Sequence, residues 1–271
     1  MRILVSHSFV YRYEPPAAGV IQVLRLTPRN YEAQYVVRWR IDVTPDARLA
    51  PHEDAFGNLA HVFTADGPFE ELRVEVDGQV DTQNMDGIVR GTVERFPPSL
   101  YLRQTPLTEA DAAIRDFAQS ARDAGGGEVL AELHGLLDRL NQDMGLGDAA
   151  DTSAQAENAA QAFARKRGLP RDFAHMFIAA ARSLGIPARY VAGYFRGPNG
   201  DSGTADAAHA WAEAFVPDLG WVGFDPANGY CPTDTHVRVA IGLDALGAAP
   251  VRGTRIGQGD ETAEIAVRVG Q

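Results

Sequence analysis

Pro170-Arg171-Asp172-Phe173-Ala174-His175-Met176-Phe177-Ile178-Ala179-Ala180-Ala181-Arg182-Ser183-Leu184 carries the most regular helical pattern in the sequence. Phe173, Met176, Phe177, Ala180 and Leu184 fall on one apolar stripe at helical spacing. Gly185, with Pro187 just beyond, supplies the stop. The pattern predicts a helix over 170–184 with one face in a core, and the segments on its two sides differ in kind.

Downstream, extended segments are expected at Ala188–Phe195, Ala208–Val216 and Trp221–Phe224. Upstream, Glu128–Met144 and Ala154–Arg167 read as helices. A further helix, capped by Thr108 and Asp111, reaches about Arg122 and is broken by Gly125-Gly126-Gly127. Before Phe96-Pro97-Pro98 the pattern is alternation, at Ile3–Tyr13, Gln22–Leu26, Tyr35–Val43, Ala60–Thr64 and Glu71–Val76. Turn chemistry separates these runs at Glu14-Pro15-Pro16, Thr44-Pro45-Asp46, Phe56-Gly57-Asn58 and Asp66-Gly67-Pro68. The expectation is an α+β chain: an antiparallel β domain over residues 1–98, then a domain over 99–271 with helices before strands.

With 45% hydrophobic and 23% charged residues, the 271-residue chain has the composition of a folded protein with enough length for one or two cores, only its last few residues being expected to lie outside the fold. Acidic residues outnumber basic ones 36 to 25 without a Lys/Arg block, which argues against nucleic acid as a partner. No apolar run approaches the roughly 20 residues that cross a bilayer, and Met1–Val10 turns polar at Ser6, His7 and Ser8. With a single cysteine, Cys231, a cytoplasmic location is expected. The seven histidines show no metal-ligand spacing and Gly125-Gly126-Gly127 lacks the following Lys and Ser/Thr, so neither a metal nor another cofactor is expected.

On the strand Ala208–Val216, His209, Trp211, Glu213 and Phe215 share one face. The next segment, Gly220-Trp221-Val222-Gly223-Phe224-Asp225-Pro226, ends in an acid. His209 and Asp225 are therefore either an oriented imidazole with its carboxylate, the base half of a catalytic triad, or a structural hydrogen-bonded pair.

Asp172-Phe173-Ala174-His175, Leu184-Gly185-Ile186-Pro187-Ala188-Arg189-Tyr190-Val191-Ala192-Gly193-Tyr194, Ala208-His209-Ala210-Trp211 and Gly220–Pro226 resemble the core of the bacterial transglutaminase-like family, often described as candidate cysteine proteases. Leu24-Arg25-Leu26-Thr27-Pro28-Arg29 and Asp54-Ala55-Phe56-Gly57-Asn58 resemble the β domain that precedes this core. The resemblance implies a papain-like core with a Cys at the start of the central helix and a His and an Asp on later strands. His209 and Asp225 match the His and the Asp. Where family members read Gly-Val-Cys-Gln-Asp-Phe-Ala-His, this chain reads Gly168-Leu169-Pro170-Arg171-Asp172-Phe173-Ala174-His175, so Pro170 stands at the nucleophile position.

Proline there has neither a thiol to activate nor an N–H to hold an oxyanion, yet it suits the first position of a helix. The expected function is a pseudoenzyme that binds a peptide, protein or small-molecule ligand in the retained cleft. The alternative is Cys-independent acid/base chemistry, such as hydrolysis, by His209 and Asp225; a thiol-dependent hydrolase or acyltransferase using Cys231 is a third reading. Arg171 either binds an anion or is solvated, and Asp172 and His175 either border the pocket or buttress the helix. Trp211 and Trp221 either line the cleft or belong to the core.

Overall fold

The computed structural model describes residues 1–147, 158–197 and 208–271. Along the chain these form β1 (Arg2–Thr27), β2 (Gln34–Thr44), β3 (Ala50–Glu53), β4 (Leu59–Thr82) and β5 (Ile88–Val89), then a short 3-10 turn, Pro98–Leu102. The helical region comprises α1 (Ala112–Gly125), α2 (Val129–Asp143), β6 (Gly145–Leu146), α3 (Ala159–Arg165), β7 (Arg167–Gly168) and α4 (Pro170–Ser183). Strands β8 (Ala188–Phe195), β9 (Ala208–Val216), β10 (Gly220–Phe224), β11 (His236–Gly242), β12 (Val251–Ile256) and β13 (Asp260–Gly270) complete it.

Two antiparallel sheets dominate. The first has the order β12-β1-β4-β2, with β13 also on β1 and β3 on β4; the second runs β11-β8-β9-β10-β5. The expected turns at Glu14-Pro15-Pro16 and Asp66-Gly67-Pro68 do not end strands. β1 and β4 run through both, and the pairing register shifts between Arg12 and Gly19, opposite Asp66–Phe69. Proline is tolerated in a sheet at such irregularities, so the two breaker clusters coincide at one bend instead of making two hairpins.

The expected division of the chain at residue 98 does not describe the sheets. β12 and β13, placed by sequence in the second domain, pair with β1 in the first sheet, and the final residues expected outside the fold form β13. In the other direction β5 pairs with β10, so the second sheet takes a strand from before residue 98. Both halves of the molecule therefore depend on chain from both ends.

The helix α4 is the hub of the second core, with eleven of its fourteen residues buried. It packs on β9, where Ala210, Ala212 and Ala214 present only methyl groups and let the helix approach closely. Gly185, at φ +78°, ends it in a conformation that other residues adopt with strain. The cap of α1 is Asp111, whose side chain accepts the Ile114 N–H. Thr108, expected to share that role, instead accepts from buried Arg182 at 2.7 Å. The helix expected over 154–167 is seen as α3; residues 154–157 lie outside the described residues.

Side-chain amides join the two sheets. Asn58 both donates to and accepts from the Ile241 backbone at 2.8 Å, and Gln34 does the same with Arg238. These bonds satisfy the backbone of β11, the edge of the second sheet, which would otherwise be left open. Arg25 reaches Asp54 at 2.8 Å, so the two amino-terminal motifs singled out in the sequence lock onto each other beside this junction. No helix among the described residues is long and apolar enough to cross a membrane.

Candidate functional site

β9 carries His209 near its start, and β10 delivers Asp225 directly after Phe224, the partner of Ala212. His209 Nε2 lies 2.6 Å from Asp225 Oδ2, with both side chains buried. The same oxygen accepts from Asn228 Nδ2 at 2.7 Å and from His236 Nε2 at 3.1 Å, and Oδ1 faces the Asn228 N–H at 3.3 Å. Burial alone would raise the Asp225 pKa. Its contact with His209, followed by that with His236, outweighs this and holds the carboxyl far below its usual range.

His236 was not singled out in the sequence. The Thr233 N–H points at its Nδ1 at 3.2 Å, so that nitrogen is an acceptor and the proton sits on Nε2, facing Asp225. Burial lowers its pKa despite the neighbouring carboxylate, which keeps it neutral. His209, Asp225 and His236 offer ligand atoms within 4.8 Å of one another. With the Thr233 N–H fixing the tautomer, however, His236 Nε2 has no lone pair for an ion, and the trio is better described as two imidazoles sharing one carboxylate.

With Nε2 committed to Asp225, Nδ1 of His209 is left as the acceptor nitrogen and has no hydrogen-bond partner among the described residues. The ring borders a cavity of about 350 Å³. Pro170 and Arg171 at the start of α4 line it too, as do Tyr190 and Tyr194 of β8, and β1 contributes His7 and Arg25. The cavity thus lies where the first sheet meets the second core.

The residues expected at the site divide. Pro170, Arg171 and His209 border the cavity; Asp172, His175, Trp211 and Trp221 do not. Asp172 caps α4, its Oδ2 accepting the Leu169 N–H at 2.9 Å. A Cβ on Gly168 would come within 2.7 Å of the Asp172 Cβ, so glycine is what lets the chain close over this cap. His175 is sealed in the core, where its Nε2 accepts the Ala245 N–H at 3.1 Å and burial pushes its pKa down to about 4. His175 thus braces α4 against the segment after β11, whereas Asp172 serves the helix's own start.

Trp211 and Trp221 belong to a separate aromatic cluster with Tyr101, which corrects the expectation that they line the cleft. There the Arg189 guanidinium lies 3.9 Å from the centre of the Trp221 ring. Cys231 sits apart, beside Gly87, and burial pushes its thiol up to about 11, away from the thiolate that thiol chemistry needs. Sequence reasoning missed His7, Tyr194 and His236. His7 is one residue in an ordinary alternating strand, and nothing local marks it; its Nδ1 meets the Tyr194 hydroxyl at 3.1 Å across 187 residues of chain.

Residues 3–81 match the bacterial transglutaminase-like N-terminal region, and residues 118–226 match the transglutaminase-like superfamily. The chain thus carries a bacterial transglutaminase-like N-terminal region and a transglutaminase-like core. An uncharacterized protein of Mycobacterium leprae is 28% identical over 287 residues, covering 99% of this chain and 98% of its own length. An uncharacterized protein of Mycobacterium tuberculosis is 26% identical over 285 residues, covering 93% and 87%. Among solved structures, a protein of Cytophaga hutchinsonii named as a candidate cysteine protease superposes with a TM-score of 0.75 at 20% identity, covering all of this chain (100%) and 90% of that one. The likeness at that identity speaks for the fold: an antiparallel β domain followed by the papain-like core of the transglutaminase-like proteins.

Proposed function

We propose that this transglutaminase-like chain is a ligand-binding pseudoenzyme whose nucleophile position is Pro170. The observation that carries the reading is the single cavity wall shared by Pro170 and His209. The start of the central helix and the imidazole of the strand face one space, as an attacking group and its base would, but the first supplies neither sulfur nor an amide hydrogen. A volume of about 350 Å³ falls in the range of small-molecule sites. The lone cysteine suits a reducing compartment, and we place the protein in the cytoplasm on that ground.

A second reading draws on the unpartnered His209 Nδ1. With Asp225 accepting from Nε2, Nδ1 is free to take a proton from water or from a substrate lying in the cavity, which is acid/base chemistry without a covalent intermediate. Molecules released from purified protein on denaturation, identified by mass spectrometry and compared with those from a folded His209→Ala variant, test both readings. Release of an unaltered molecule from the wild type, with less from the variant, supports binding. Turnover of that molecule by the wild type but not by the variant replaces the pseudoenzyme reading with the second. Loss of no molecule, and equal binding of added candidates by the two proteins, sinks both.

A further inference from the structure

The cavity beside His209 differs in charge from the rest of the molecule. The chain carries a formal net charge of -11, yet the described residues lining the cavity include two arginines and two histidines and no carboxylate. A cleft walled by one sign of charge and by low-dielectric side chains concentrates ions of the other sign. Two of the four basic groups are spoken for. Arg25 is paired with Asp54 at 2.8 Å, and His7, its pKa pushed down to about 3 by burial, is neutral and bonded to Tyr194.

Arg171 is different. Its Nε forms a loose ion pair with Asp172 Oδ1 at 3.5 Å, beyond good hydrogen-bond reach, and has no hydrogen-bond partner. None of its other guanidinium donors is hydrogen-bonded to a described residue either; the side chain is 34% exposed, and the residue lines the cavity. A forked cation with free donors is the group best matched to a carboxylate. On the same cavity wall, His209 Nδ1 has no hydrogen-bond partner among the described residues and would accept from a donor on whatever fills the space. The remaining wall is largely apolar, including Leu26, Leu169, Pro170 and Val239.

We propose that the cavity takes a small organic monocarboxylate: an apolar body whose carboxylate is forked by Arg171, with a hydroxyl or N–H donating to His209. The volume is roughly that of a dozen waters, which suits a molecule the size of one acylated amino acid or aryl-alkanoic acid and not a folded chain. This inference rests on the ligand-binding reading above and names the ligand's class.

Two probes with one body separate charge from apolar filling: 4-phenylbutanoate and 4-phenylbutan-1-ol, titrated against the full chain by ligand-observed NMR. The carboxylate is expected to bind at least about tenfold more tightly than the alcohol. Arg171→Gln, at a partly exposed helical position, should remove that advantage and leave the alcohol unchanged. Ala249→Phe, which places a ring on the cavity wall, should weaken both probes. Equal affinity for the two probes, or an Arg171→Gln protein that keeps the preference, overturns the inference while the ligand-binding reading survives. Failure of both probes to bind, or binding indifferent to Ala249→Phe, counts against that reading and takes the inference with it.

Discussion

Two buried polar clusters lie four residues apart on the same face of β9, and they are built to opposite ends. Around Glu213 every charge is answered. Its carboxylate takes Arg189 Nε at 2.7 Å and Arg238 Nε at 2.7 Å, and Arg189 continues to Glu94 at 2.7 Å and 3.0 Å under the Trp221 ring. Burial would raise the Glu213 pKa, but the two guanidinium groups pull it down to about 2. Around His209 the network is just as dense on the Asp225 side and stops at one atom, Nδ1, on the edge of a cavity. A cluster with no free valence serves the fold; one with a single free valence, pointed at space, is a place for something else to bind.

The contrast breaks most visibly at the closed cluster. Glu213→Ala leaves Arg189, which is fully buried, with Glu94 as its one carboxylate partner among the described residues, and should cost about 3–5 kcal/mol in urea denaturation. A cost below about 1 kcal/mol would mean that the network relaxes into solvent and is not closed.

A slightly smaller effect follows from the buried imidazoles near the open cluster. Burial lowers His7 to about 3 and His175 to about 4, below the ordinary value of 6.5. Above pH 6.5 both are neutral whether the chain is folded or not, and their environment costs nothing. Below it the unfolded chain takes up protons that the folded chain refuses, so stability falls with pH at about 1.4 kcal/mol per unit for each group, until pH passes the folded values. Between pH 6.5 and 5 the pair should remove roughly 3 kcal/mol. Urea midpoints across this interval would show it, and His7→Phe should remove one group's share of the slope, the lowered His61 and His236 adding to what remains; a flat profile would place the rings in contact with water.

How far the sequence reached can be judged on β9 itself. Alternation correctly put His209, Trp211 and Glu213 on one face, since side-chain direction is a local property of a strand. It did not tell which part of that face is open. His209 meets the cavity because it lies at the strand's beginning, whereas further along Trp211 packs with Tyr101 and Trp221 and Glu213 is covered by Arg189 and Arg238. The His209–Asp225 contact was legible because the strands that carry the two residues are adjacent in sequence and pair antiparallel. The return of β12 and β13 to β1 was not, because it depends on pairing across long stretches of chain where one local pattern would serve many partners; His236 is only 11 residues from Asp225, but no motif marks it.

The smallest expected effect concerns the sulfur the chain does have. With its thiol pushed up to about 11 by burial, Cys231 exposes only about one part in ten thousand as thiolate at pH 7. Iodoacetamide at neutral pH should leave it almost unmodified, with labelling rising about tenfold per pH unit. Pro170→Cys gives an internal comparison, because it puts a second thiol at the first position of α4, on the cavity wall that His209 shares. A helix amino terminus and a nearby imidazole both favour thiolate, so peptide mapping should find position 170 alkylated long before Cys231. If the two sulfurs react alike, the start of α4 and the ring of His209 do not face one space, and the difference drawn between an open and a closed cluster on β9 loses its chemical meaning. If position 170 reacts first, the proline alone separates this cleft from a thiol site, since everything that would activate the sulfur is already in place.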